Sequence, residues 1–190
     1  MKKYTKKDFP VSDIRRFLEP GPIVLISSAW KGKTNIMTLG WHTVMEFSPS
    51  LVGCVIASTN VSFEMIRKSR ECAINVPSVE LVDELVGIGN CSGDEVDKFE
   101  RFHLTPIQGA EVAAPLIREC FVNLECRIAD RRLINAYNFF IFEVLKAHVA
   151  TASNNLQTLH YRGKGIFITS GQLVPNDRNS PNGRTPQTSR

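Results

Sequence analysis

Asn35-Ile36-Met37-Thr38-Leu39-Gly40-Trp41 follows an apolar run, Pro22 to Ala29, and a polar loop, Lys31-Gly32-Lys33. The three pieces read as a β-hairpin whose second strand begins near Asn35. Amide and hydroxyl side chains stand there where a core strand would carry large aliphatics. A buried amide or hydroxyl without a partner costs about 1–3 kcal/mol. Asn35 and Thr38 therefore require partners, which a bound polar ligand or a turn at a strand end would supply.

Outward from this hairpin, the pattern remains largely β. Ser12 is placed to cap a short helix through Ile14, Phe17 and Leu18, stopped by Pro20-Gly21-Pro22. Leu51 to Ala57 is an apolar strand after the break at Ser48-Pro49-Ser50. Ser62 opens a helix, Phe63 to Ser69, and Cys72 to Pro77 returns as a strand. Ser78 is set to cap a helix over Val79 to about Val86, where Leu81, Val82 and Leu85 recur at helical spacing. Phe121 to Ile128 alternates as a half-buried strand does, and Arg131-Arg132 turns the chain. Asn138 to Val149 is a long strand, and Ile166 to Thr169 a last one. Glycines 87, 89 and 93 mark a loop before a mixed-charge stretch, and the segment between Pro106 and Pro115 has no clear pattern.

Six or seven strands separated by short helices predict a mostly β, antiparallel barrel in one domain over residues 1–174. Residues 175–190 are turn-rich and apolar-poor and read as a polar, mobile tail. With 190 residues, 43% hydrophobic and 22% charged, the chain suits a single globular domain. No apolar window reaches the length of a membrane span, and no long apolar segment follows the basic start, so a cytoplasmic location is expected. A net charge of +4 is too small for a nucleic-acid footprint. The five cysteines, Cys54, Cys72, Cys91, Cys120 and Cys126, include no CxxC pair and mostly lie in apolar runs, which favours reduced, buried thiols over a disulfide frame or a metal site. GxGxxG after a first strand and GxxxxGK[ST] are both absent.

Four pieces in order, 35–41, Ala57 to Phe63, Cys72 to Pro77, and Gly93 through Phe99, resemble the flavin reductase-like proteins of the FMN-binding split barrel, flavoredoxin among them. Phe142 to Val149 and the closing strand with Phe167 fit the same register, so the resemblance covers roughly residues 17 to 172. It implies a closed six-stranded antiparallel Greek-key barrel and a homodimer with FMN near the subunit interface. It further implies that Asn35, Met37 and Thr38 face the isoalloxazine and that Trp41 packs near it. Ser58, Thr59 and Ser62 would hold the ribityl chain and phosphate, where N–H groups at a helix start favour an anion. Lys98 would supply positive charge, Asn75 would touch the flavin edge, His148 would lie near the site, and Phe167 would cover the ring. Many members carry a basic residue or histidine where this chain has Asn60.

Each of these residues also has a plain structural role open to it. Trp41 and Phe167 are candidates for core aromatics, His148 for a hydrogen-bonded structural histidine, Lys98 for part of a solvated charged face, and Ser62 for a helix cap. The resemblance implies an oxidoreductase in which NADH or NADPH reduces bound FMN and a second flavin, a metal complex or a redox protein accepts the electrons. The alternatives are an electron carrier of the flavoredoxin kind, reduced by a partner protein, and a barrel without flavin.

Overall fold

The computed structural model describes residues 3–14, 21–151, 156–161 and 165–171. The tail expected from 175 onward lies outside them, as do Phe17 and Leu18 of the first expected helix. Ile14 is buried, and Ser12 sits inside a 3-10 turn, Val11–Asp13, instead of capping a helix.

β1 (Lys6–Phe9) is followed by the hairpin of β2 (Val24–Trp30) and β3 (Lys33–Leu39). Lys31 and Gly32 close it with φ of 50° and 77°. Positive φ at both central residues is the two-residue turn that matches strand twist, and glycine takes the second position without strain. Next come β4 (His42–Phe47), β5 (Ser50–Val55), helix α1 (Val61–Ser69), β6 (Glu71–Val76) and helix α2 (Val82–Gly89). Helix α3 (Lys98–Arg101), the short pair β7 (Pro106–Ile107) and β8 (Leu116–Ile117), and β9 (Val122–Asp130) follow. Helix α4 (Ile134–Tyr137), β10 (Phe139–Ala150), β11 (Leu159–Tyr161) and β12 (Phe167–Thr169) complete the order. No helix among the described residues is long and apolar enough to cross a membrane.

The expectation of a closed six-stranded barrel needs correction. Among the described residues the main sheet has eight strands, in the order β3-β2-β6-β9-β10-β5-β4, with β1 added to β10. The pairings are antiparallel. No ladder joins the two ends, β3 and β4, so the barrel is split. The sheet nevertheless curls: Met37 and Leu39 of β3 share one buried cluster with Val52 and Cys54 of β5, from opposite ends of the strand order. The two extra strands have a simple cause. β1 is four largely polar residues that pair with the far end of β10, and β4 is mostly exposed, its Val44, Met45 and Phe47 following no alternation of apolar and polar positions.

Alternation divides the strands between two faces. Val24 and Ile26 of β2, Ile74 and Val76 of β6, and Phe140 and Phe142 of β10 fill the inner core. Ile23, Leu25 and Ile36 on the outer face pack against Leu81, Leu85, Ile88 and Phe99 of the α2–α3 layer. Cys54, Cys72, Cys120 and Cys126 are buried, and burial pushes the Cys54, Cys72 and Cys120 thiols up.

β1 is anchored by Lys6, whose Nζ donates to the carbonyls of Ile117 and Arg118, both at 3.2 Å. Burial lowers its pKa from 10.5 to about 8, partly offset by Cys120 and Glu119. A lysine whose folded pKa lies below its unfolded one binds fewer protons when folded. Its contribution to stability therefore rises as pH climbs from about 8 towards 10.5 and is lost as pH falls through about 8. Melting temperature measured across this window should rise less in Lys6→Met than in the parent; identical slopes would refute the assignment.

Candidate functional site

The β2–β3 register sets Ser28 opposite Asn35, and α1 packs across this end of the hairpin. Asn60, not Ser62, caps the helix: its Oδ1 accepts from the Ser62 backbone N–H at 3.0 Å. That leaves the Ser62 hydroxyl free to face the hairpin. Ser28 Oγ and Asn35 Nδ2 each donate to Ser62 Oγ at 3.0 Å, and all three side chains are buried. Asn35 Oδ1 is buried without a hydrogen-bond partner. The loop carrying Gly93 lies directly on it, and a Cβ at Gly93 would stand 2.6 Å from Asn35 Cγ. Only glycine lets the loop approach so closely.

Side chains further along β3 turn inward to the protein. Met37 joins the inner core, while Thr38, on the other face, donates to Leu85 O at 2.8 Å. What β3 offers outward is its backbone, because no strand pairs with its outer edge among the described residues. The strand then runs through Gly40 to Trp41, which is 75% exposed. The Trp41 carbonyl accepts from Val55 N at 3.0 Å, which sets the indole at the end of β5, just ahead of the turn that leads into α1. Ser58 and Thr59 are exposed in that turn, and Asn60 N closes it on Ala57 O at 2.9 Å. Next to Trp41, His42 Nε2 donates to Pro22 O at 2.6 Å, and burial lowers its pKa.

Lys98 is 5% exposed, so it is not part of a solvated charged face. Its ammonium donates to Ile88 O at 2.9 Å, at the C-terminal end of α2, where a cation is favoured by the helix dipole. Burial lowers its pKa, against the opposing influence of Cys91. α3, which begins at Lys98, packs against β3 and closes the loop over Asn35.

Asn75 and His148 occupy the outer face, away from Asn35. Asn75 Nδ2 donates to Leu25 O and Ser27 Oγ, and its Oδ1 accepts from Ile117 N and Asn123 Nδ2. His148 Nε2 lies 2.7 Å from Glu125 Oε1. The Glu125 carboxylate, fully buried, also accepts the backbone N–H groups of Ala110, Glu111 and Val112. Burial alone would raise its pKa, but His148 and these N–H groups together bring it below the ordinary value. Phe167 packs on the α2–α3 layer with its ring 5.2 Å from that of Tyr161.

The profile described as the flavin reductase like domain matches residues 15–167. The chain belongs to this flavin reductase-like family. An uncharacterised protein of Archaeoglobus fulgidus is 32% identical over 135 residues, covering 71% of this chain and 76% of that one. Among solved structures, an FMN-binding domain of a flavin reductases-like enzyme from Shewanella baltica superposes with a TM-score of 0.85 at 23% identity, over 93% of this chain and 100% of that one. Flavoredoxin of Desulfovibrio vulgaris gives 0.77 at 19% identity, over 84% and 92%. These two likenesses establish the shared fold.

In this flavin reductase-like chain the structure gathers Asn35 and Ser62, and it sets Trp41, Ser58 and Thr59 around the approach to α1. Met37 and Thr38 contribute backbone at the free edge. Asn75, His148 and Phe167 are held elsewhere by the fold. Asn60 and Gly93 lie in stretches that carry the resemblance, but the sequence does not show their roles as helix cap and as the contact on Asn35, nor those of Ser28 and His42. Paired serines inside the apolar run 23–29 were the available signal for Ser28; Asn60 acts locally as a cap, while Gly93 and His42 act through contacts distant in sequence.

Proposed function

We propose that this protein is an FMN-binding oxidoreductase that takes electrons from a reduced nicotinamide and passes them to a second acceptor. The observation that carries this reading is the outer edge of β3, unpaired among the described residues, running out to an exposed Trp41 whose carbonyl accepts from Val55 N at the end of β5, ahead of the turn into α1. The donor set fits the cofactor. Strand-edge N–H and C=O groups suit the polar rim of an isoalloxazine, and an exposed indole suits its plane. The hydroxyls of Ser58 and Thr59 with the first turn of α1 suit a phosphate.

FMN would supply the redox chemistry, accepting a hydride and releasing electrons. The chain's own residues bind and orient. Ser28, Asn35 and Ser62 hold α1 against the hairpin, fixing the helix start relative to the strand edge. Asn60 is a neutral cap, so the phosphate would be held by dipoles and hydroxyls at that position, a weaker hold than a cation gives. Exchangeable FMN follows. The apolar exposed side chains Trp41, Met45, Phe47 and Tyr137 support a homodimer that would cover this surface.

An anaerobic titration tests the proposal: FMN is added to the protein, then NADH or NADPH in the same cuvette. Prompt bleaching of the flavin bands near ~450 nm is expected. Bound flavin left oxidised by both nucleotides but reduced by a ferredoxin-type donor would replace the reductase with a carrier. Unquenched FMN would overturn flavin binding altogether.

A further inference from the structure

Arg67 of α1 and Arg131 and Arg132 of the β9–α4 turn line a cavity of about 330 Å³ together with Ile134 and Asn135. No acidic residue lines it. Carboxylates nearby pair with two of the three guanidiniums. Arg67 Nη2 donates to Glu64 Oε2 at 3.1 Å, and the two side chains form an ion pair. Asp130 takes Arg132 Nε at 2.8 Å and also its Nη2, and Arg132 in turn holds the Asp130 carboxyl down at about 2. Each carboxylate occupies only part of a guanidinium's donor fork and fixes its plane. Arg131 meets the Asp130 carboxylate through its backbone N–H, and its guanidinium has no carboxylate partner among the described residues.

Two oriented forks and one unpaired guanidinium around one recess form an anion receptor, since planar bidentate donors match tetrahedral phosphate oxygens. The cavity is at the small end of ligand sites, roomy enough for a phosphate with its sugar and too small for a whole dinucleotide. The amide of Asn135 and the apolar Ile134 would meet the uncharged part of such a group.

We infer that this cavity, built from Arg67, Arg131 and Arg132, binds a phosphomonoester dianion. The same chemistry is presented by a small phosphate ester and by the 2′-phosphate of a phosphorylated nicotinamide nucleotide. The site shares no lining residue with the flavin candidate site.

Isothermal titration of the full chain with FMN present, using inorganic phosphate, 2′-AMP and 5′-AMP, tests it. Phosphate should bind and weaken below pH ~6, where the dianion takes up a proton. Arg131→Ala should weaken binding about tenfold or more, while Arg118→Ala, an exposed arginine elsewhere, should leave it unchanged. Tighter binding of 2′-AMP than of 5′-AMP and phosphate assigns the nucleotide source; equal binding of all three assigns a small ester. Absence of phosphate binding, or equal loss in both variants, would overturn the inference, because the first denies a site and the second makes it a diffuse positive field.

Discussion

Replacing Glu125 by alanine should destabilise the fold by about 3–5 kcal/mol, enough to leave much of a marginally stable chain unfolded. The carboxylate is the common acceptor for three successive backbone N–H groups, those of Ala110, Glu111 and Val112, and for His148. The 109–112 segment wraps it so tightly that a Cβ at Gly109 would stand 2.6 Å from Oε2. Alanine would strand all four donors at a buried position, and each unsatisfied donor costs about 1–3 kcal/mol before water enters or the loop relaxes. Glu125→Gln keeps one acceptor oxygen and the shape, so a smaller loss is expected. The pH dependence separates charge from shape. The folded pKa lies below the ordinary 4.5, so the carboxylate's contribution is fully present above 4.5 and disappears as pH falls through the folded value. Urea unfolding at neutral pH and through the acid range measures both. A midpoint in Glu125→Ala within error of the parent would remove the carboxylate from its assigned role.

Gly93→Ala should disturb the flavin candidate site and leave most of the fold standing. The added methyl would collide with the Asn35 amide, which cannot swing away without giving up its bond to Ser62. Either Asn35 leaves Ser62 or the loop lifts, an overpacking strain of about 1–3 kcal/mol. Because Ser62 lies in the first turn of α1 and Asn35 at the start of β3, either response shifts the helix start relative to the strand edge. FMN affinity, read by fluorescence quenching, should fall by about tenfold, the equivalent of ~1.4 kcal/mol. Pairing the change with Asn35→Ala removes the atoms in the way. The double variant should therefore regain stability relative to Gly93→Ala, a sign of coupling between neighbours. Strict additivity would mean that the two residues do not meet.

The strands that carry long apolar runs were legible: β2, β3, β5, β6, β9 and β10 all lie where hydrophobic patterning put them, as does α1. β1 and β4 were not, because a strand that pairs by its backbone while exposing its side chains leaves no periodic trace. The same limit governs the site. Asn123 and Glu125 alternate with apolar residues in β9, which reads as a wetted outer face. Residues 109–117 fold over that face and bury both. Polar residues chosen to satisfy a covering loop look, in one dimension, like residues chosen for water. Lys98 misleads in the same way, since its four acidic sequence neighbours are exposed while it alone turns inward to Ile88. The need of Asn35 for a partner was legible, since it is an amide among aliphatics, but that its partner is Ser62 was not.

The register of Lys6 with Ala150 has a kinetic meaning. During synthesis β1 emerges well before its seat on the sheet among the described residues, residues 147–150 of β10. At ~5–20 residues per second the ribosome keeps that strand waiting for many seconds. A growing chain therefore carries an unpaired strand until its last long hairpin arrives, and high contact order slows the closing step further. Translation pauses between β1 and β10 would prolong that wait, and a chaperone that shields extended segments would act on residues 6–9 before any other part of the sheet.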